Sequence, residues 1–290
     1  MKIFVNGALQ DAEEAKVSVF DHGFMYGIGL FETFRTYEGK PFLLVRHMDR
    51  LSDACKWLDI DWERDDLRTQ QQIETLLQEN GWRDAYIRYS VSAGNDMLGL
   101  PAGPYREPNV IIYAKPLPPM PEELYIEGKP LQKLRTTRNT PETPIRFKSF
   151  HYMNNIAAKR ELAQYSWASS AEGLMLTEQG HVSEGIVSNL FFVKGDCVYT
   201  PSEDTGILPG ITRSFVLELC SVLHVSWQMG HYTWEDLLEA DEIFVTNSIQ
   251  EIVPITSLYD ENGNQSIVGD GVIGAITAAL LQAYREHVGR

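Results

Sequence analysis

The chain has 290 residues, 43% of them hydrophobic and 22% charged, and a formal net charge of −15. That is the composition of an ordinary globular protein long enough for two domains, not of a disordered or fibrous chain. No basic stripe accompanies the acidity, which excludes nucleic-acid backbone as a partner and leaves any anionic ligand to local arginines or amides.

The N-terminus reads as a β-hairpin, with KIFVNG as a strand, Asn6-Gly7 as the turn and KVSVF, residues 16–20, as the second strand. It lacks the apolar stretch of a signal peptide, and no apolar run approaches membrane-spanning length, so the expectation is a cytoplasmic protein without a membrane partner. Cys55, Cys197 and Cys220 are scattered and odd in number, which argues against a disulfide framework or a zinc site. GLFETFRTYEGKPFLL reads as two strands about Glu38-Gly39. VRHMDRLSDACKWLDI carries Met48, Leu51, Ala54 or Cys55, and Leu58 at helical spacing, and DDLRTQQQIETLLQEN repeats the pattern up to Asn80-Gly81. DAYIRYSVSAG and NVIIYAKPL are strands.

KPLPPMPEEL is the densest proline cluster of the chain and reads as an extended connector. The expected division is a small α+β domain over 1–115, a linker over 116–123 and a larger α/β domain over 124–290. Strands are expected in LQKLRTT, GLMLTEQGHVSEG, NLFFVKGDCVYTP, DEIFVTNS and IVPITSLY, and helices at about 153–165, 211–224 and 271–288. The last has Asp270 as its expected N-cap and basic residues near its end, matching the helix dipole.

Four stretches carry residue types suited to chemistry. RFKSFHYMNN sets Lys148 between Phe147 and Phe150, near a strand end that feeds a helix. Most lysines are solvated, but an amine kept dry by rings has a depressed pKa and can condense with a carbonyl. In ILPGITRSFVLEL, Pro209-Gly210 turns the chain into a helix near Ile211 and Thr212, whose free amides and hydroxyl suit a phosphate. EIFVTNSIQEI ends a strand in Thr246, Asn247 and Ser248. GHVSEGIVSNLFF places Glu184 after a short turn, where a carboxylate against a heterocyclic nitrogen would keep that nitrogen protonated. Taken singly, each is equally well an ordinary turn, cap or surface charge.

In order along the chain, FDHGFMYGIGLFETFR, RHMDRL, FKSFHYMNNIAAKREL, VSEGIVSNLFF, LPGITR and FVTNSIQEI resemble the fold-type-IV pyridoxal-phosphate enzymes. That family includes branched-chain and D-amino-acid aminotransferases and aminodeoxychorismate lyases. The resemblance implies a two-domain α+β and α/β fold, pyridoxal 5'-phosphate as cofactor, and a homodimer with the site at the domain cleft. It implies that Lys148 forms the Schiff base and that Arg50 clamps the phosphate with a planar fork. Ile211, Thr212, Asn247 and Ser248 would complete the phosphate cup, Leu208 would pack on the ring face, and Glu184 would hold the ring-nitrogen proton.

Phe31 and Thr33, in GIGLFETFR, bear on the reaction type. D-amino-acid enzymes tend to have tyrosine at the first position and a small apolar residue at the second, where branched-chain enzymes tend to have glycine. A hydroxyl at Thr33 resembles the lyase pattern, as a proton donor or as a plain strand residue. Arg88, in AYIRYSVSAG, is a candidate for a substrate carboxylate, with a cross-strand ion pair as the alternative. SAGNDMLGLP lacks the arginine that transaminases often carry for an α-carboxylate. The expected function is therefore elimination of pyruvate from 4-amino-4-deoxychorismate to give p-aminobenzoate for folate synthesis, with Lys148 and Thr33 as catalytic groups. An aminotransferase for D- or branched-chain amino acids is the alternative, and transient contact with the synthase that makes the substrate is the one further partner implied.

Overall fold

The computed structural model describes residues 1–289. Chain contacts divide it into two units, Met1–Pro118 with Phe147–His151, and Pro119–Arg146 with the residues from Tyr152 onward. The division at Pro118 falls inside the expected connector. The Lys148 segment, expected within 124–290, instead folds with the first unit, because it pairs edge to edge with a strand there.

The first unit contains β1 (Lys2–Val5), β2 (Ala8–Asp11), α1 (His22–Tyr26), β3 (Gly29–Tyr37), β4 (Lys40–Pro41), α2 (Leu44–Trp57), α3 (Asp66–Asn80), β5 (Ala85–Ser92) and β6 (Asn109–Pro116). Its strands form an antiparallel sheet in the order β2-β1-β6-β5-β3-β4. The first hairpin is tighter than expected. Asn6 and Gly7 both take positive φ, 49° and 81°, so the return strand starts at once with Val5 opposite Ala8. Residues 16–20, expected to be that strand, are outside any regular element. α3 has the expected ends, with Asp65 capping the Arg68 amide and Gly81 closing in the left-handed region.

Strand alternation sorts β3 into two faces. Leu30 and Phe34 join Met48 and Leu51 of α2 and Ile73 and Leu76 of α3 in one core cluster. Glu32 shares that face, while Phe31 and Thr33 point to the other.

The second unit contains α4 (Glu123–Ile126), β7 (Lys129–Lys133), α5 (Met153–Leu162), β8 (Glu172–Leu176), β9 (Val182–Gly185), β10 (Asn189–Lys194), β11 (Cys197–Pro201), α6 (Ile211–Val222), β12 (Ser226–Gly230), α7 (Trp234–Leu238), β13 (Glu242–Asn247), β14 (Glu251–Tyr259), β15 (Gln265–Ile267) and α8 (Ala275–His287). The strand order is β12-β11-β10-β13-β14-β7-β8-β9, with β15 added on β14. Parallel pairing of β7 with both β8 and β14 fits the near-continuous burial of β8 and β14.

The start of α8 differs from expectation. Gly274, not Asp270, is its N-cap, and it brings no side chain to the task. Glu242 of β13 takes the Ile276 and Thr277 amides at 3.0 and 2.8 Å instead, an acidic side chain at the positive helix end supplied from a distant strand.

Candidate active site

In the first unit the Lys148 segment lies along the start of β3. The Phe31 amide donates to the Lys148 carbonyl at 2.8 Å and the Phe150 amide to the Gly29 carbonyl at 2.9 Å, with Leu30 and Ser149 bridged between them. A β-carbon on Gly29 would sit 2.3 Å from the Phe150 ring, so only glycine permits this approach. The Lys148 amine lies 4.8 Å from the centroid of the Phe31 ring. The guanidinium of Arg88 lies 3.5 Å from the same centroid. Two cations thus share one aromatic ring, an arrangement that favours anions nearby. Register places Thr33 directly opposite Arg88 on β5. On its other side Arg88 faces Tyr113 of β6, and its Nε donates to Ser90 Oγ at 3.2 Å.

Arg50 projects from α2 into a buried polar cluster on the helix side of β3. Its Nε and Nη2 donate to Glu32 Oε1 and Oε2 at 2.8 and 2.6 Å, and His47 Nδ1 lies 2.7 Å from Oε2. Burial pushes the Glu32 carboxyl up, but the charge of Arg50 and the hydrogen bond to His47 outweigh it and bring the pKa down to about 2. Burial is also the largest influence on His47 and lowers its pKa, so the imidazole is neutral at pH 7. Two donors of Arg50 are thus spent on Glu32, which holds the guanidinium in one orientation.

In the second unit Glu184, at the end of β9, has donors on both oxygens. Arg138 approaches Oε1 at 2.8 Å, while the Leu208 amide and Asn189 Nδ2 donate to Oε2 at 3.0 and 3.3 Å. Asn189 also donates to the Leu208 carbonyl at 2.9 Å, so the backbone of Leu208 is pinned on both sides. Arg138 is steadied in turn by Asn154 at 2.8 Å and Asn155 at 3.4 Å, at the start of α5. Donors on both oxygens hold the carboxylate in one orientation.

Gly210 caps α6 without a side chain, which leaves the amides of its first turn without a capping acceptor. A β-carbon there would fall 2.0 Å from Asn189 Oδ1, so the glycine is what lets the helix start close to the Glu184 cluster. Thr212 Oγ1 and Ser248 Oγ are 3.2 Å apart, joining the helix start to the turn after β13. The carboxamide oxygen of Asn247 takes the Ile249 and Gln250 amides at 3.0 and 2.8 Å, so this side chain shapes the turn that presents Ser248. Among the described residues the buried hydroxyls of Ser188 and Thr246 have no hydrogen-bond partner, which native interiors seldom tolerate unless a ligand or water completes them. Helix amides, paired hydroxyls and a charge-paired carboxylate together fit an aromatic heterocycle carrying a phosphate.

Sequence reasoning missed Arg138, Asn189, Glu32 and His47. Glu32 was the most accessible of these, since a glutamate inside the apolar strand pattern LFETF has to be paired to be buried. His47 lies three residues before Arg50, on the same helix face. Arg138 sits in an irregular polar stretch that carries no local signal.

Comparison with known proteins matches residues 29–258 to the family described as Amino-transferase class IV. The chain is similar to the aminodeoxychorismate lyase of Bacillus subtilis, with 43% identity over 99% of this chain and 94% of that protein. It is similar in structure to the T.th. branched-chain amino acid aminotransferase complexed with N-(5'-phosphopyridoxyl)-L-glutamate. The TM-score is 0.86 at 30% identity, covering 99% of this chain and 93% of that one. The 4-amino-4-deoxychorismate lyase of Pseudomonas aeruginosa gives a TM-score of 0.83 at 29% identity, covering 98% of each chain.

Proposed function

The chain belongs to the class IV aminotransferases and is a pyridoxal-phosphate-dependent enzyme, and from that premise we propose that it eliminates pyruvate from 4-amino-4-deoxychorismate, leaving p-aminobenzoate. The observation that carries the choice of reaction is Thr33, a half-buried hydroxyl directly opposite Arg88 and on the face of β3 that bears Phe31. Among the described residues that hydroxyl has no hydrogen-bond partner, so it is available to a substrate. The lyase named among the relatives, at 43% identity over nearly the whole chain, supports the same reading.

The residues divide the work as follows. Lys148 is the amine that would hold the cofactor, and as a free amine it is the base that takes the proton from the carbon bearing nitrogen. Glu184 holds the proton on the ring nitrogen. The α6 amides at Ile211 and Thr212, the hydroxyls of Thr212 and Ser248, and the guanidinium of Arg50, oriented by Glu32, would bind the phosphate. Leu208 borders the ring. Bound by these groups, pyridoxal phosphate supplies an electron sink for the charge left on that carbon. Thr33 hands a proton to the departing enolpyruvyl group, and Arg88 meets a substrate carboxylate. Loss of the enolpyruvyl ether makes the six-membered ring aromatic, which drives the reaction forward.

The protein acts as a homodimer in this proposal. Phe24 of α1 and Met97, Leu98 and Leu100 of the loop after β5 are more than 70% exposed, and the two segments are tied by the Asp21–Asn95 bridge and by His22 at 2.9 Å from the Met97 carbonyl. A second copy covering those side chains would remove them from water. Light scattering that gave a monomer mass would dismiss this part. Among the described residues no helix is long and apolar enough to cross a membrane, and we place the enzyme in the cytoplasm.

The deciding experiment incubates the loaded enzyme with 4-amino-4-deoxychorismate and follows p-aminobenzoate and pyruvate. Equal release of both is expected. Glutamate formation from 2-oxoglutarate with D-alanine or L-leucine, in the absence of p-aminobenzoate release, would replace the lyase with an aminotransferase.

A further inference from the structure

The two segments that hold Glu184, at Arg138 and at Leu208, both lie outside helices and strands. Leu208 is tied to β10 through Asn189, and the Arg138 amide donates to the Leu176 carbonyl of β8 at 2.8 Å, but a direct tie between the two segments needs a further group. Arg146 supplies it. Its Nε donates to the Gly206 carbonyl at 2.5 Å, and its Nη2 donates to the carbonyl of Asn139. Asn139 directly follows Arg138, and Gly206 stands two residues before Leu208. The three groups converge on Gly206, whose φ is +78°. A β-carbon there would lie 3.4 Å from Pro141, and 3.6 Å from both Arg146 Nη2 and the Asn139 carbonyl oxygen.

We propose that Arg146 is a positioning residue for Glu184, its planar fork tying together the two segments that donate to the carboxylate and so aiming Glu184 at the ring nitrogen of the cofactor. The inference rests on the cofactor roles proposed above. Lysine cannot replace this geometry, because one flexible ammonium does not hold two carbonyls at a set angle. Arg146 is half-buried and has no carboxylate partner in hydrogen-bonding range among the described residues, so its fork is spent on the two carbonyls. Burial first, and repulsion from Arg138 second, lower its pKa to about 10, which leaves it charged at neutral pH.

The test uses full-length wild type, Arg146→Lys, Arg146→Met, Glu184→Gln and the Arg146→Met/Glu184→Gln double variant, each loaded with pyridoxal phosphate carrying 15N in the ring. Wild type should show the 15N shift of a protonated ring nitrogen. Both Arg146 variants should lose part or all of that shift, and the double variant should match Glu184→Gln alone, since the two residues act as one unit. Melting temperature is read in parallel. A lower melting temperature with the wild-type 15N shift intact would make Arg146 a plain loop clip and overturn the proposal. Arg146→Lys keeps the charge and carries the test if Arg146→Met does not fold. A wild-type protein with no borohydride-reducible link to its cofactor would overturn the parent reading, a failure visible before any Arg146 variant is compared.

Discussion

Glu32 and Arg50 meet through two parallel hydrogen bonds of 2.8 and 2.6 Å, with the carboxylate of Glu32 almost fully buried and His47 closing its remaining side. A buried pair of this kind is costly to break from one side, because the partner is left charged without compensation. The pair therefore joins the acid stability of the fold to the orientation of the residue assigned to the phosphate.

The pH dependence follows from both groups. The Glu32 carboxyl titrates near 4.5 in the unfolded chain and at about 2 in the folded one, so its contribution is complete above 4.5 and disappears as pH falls toward 2. That contribution is on the order of 3 kcal/mol. His47 is lowered from 6.5, so protons favour the unfolded chain, and its contribution begins to be lost as pH drops below 6.5. Urea midpoints should decline from about pH 6.5 downward and more steeply below 4.5. Glu32→Gln should be destabilised by about 3–5 kcal/mol at pH 7 and show a flatter acid limb. An acid limb identical to wild type in that variant would remove Glu32 from the account.

Lys148→Ala should abolish the borohydride-reducible cofactor link, as mass spectrometry of the reduced protein would show. Persistence of the adduct would mean that another amine carries the cofactor.

Glu184→Gln keeps the shape of the side chain and removes its charge. Cofactor should still bind, while removal of the substrate proton should slow by about 10²-fold or more. Single-turnover kinetics with deuterated substrate separate the two effects, and unchanged turnover would clear Glu184 of this role.

Thr33→Val is nearly isosteric and leaves the strand intact. Elimination should fall by about 10²-fold with cofactor affinity unchanged, since only the proton donor is lost. Equal activity would leave Thr33 an ordinary strand residue.

Gly210→Ala adds a β-carbon 2.0 Å from Asn189 Oδ1. Asn189 has to move, and its bonds to Glu184 and Leu208 go with it. We expect a loss of about 1–3 kcal/mol in cofactor affinity, read by equilibrium titration. Wild-type affinity would show that the helix start tolerates the methyl group.

The sequence by itself determined what repeats locally. The apolar spacing of α2 and α3, the Asn6-Gly7 and Glu38-Gly39 turns, the start of α6 after Pro209-Gly210 and the proline connector all depend on neighbours within a few residues. Lys148, Glu184, Thr212 and Ser248 were singled out because each sits in a short segment whose residue types speak for it, and the order of the segments along the chain tied them to one family. Tertiary structure alone decided the rest. That Lys148 folds with the first unit depends on its pairing with β3, more than a hundred residues earlier in the chain. The donors to Glu184 come from positions 138, 189 and 208, and the cap of α8 comes from Glu242, because a buried charge or an open helix end takes whichever partner the packed fold brings within about 3 Å. No spacing along the chain encodes that distance.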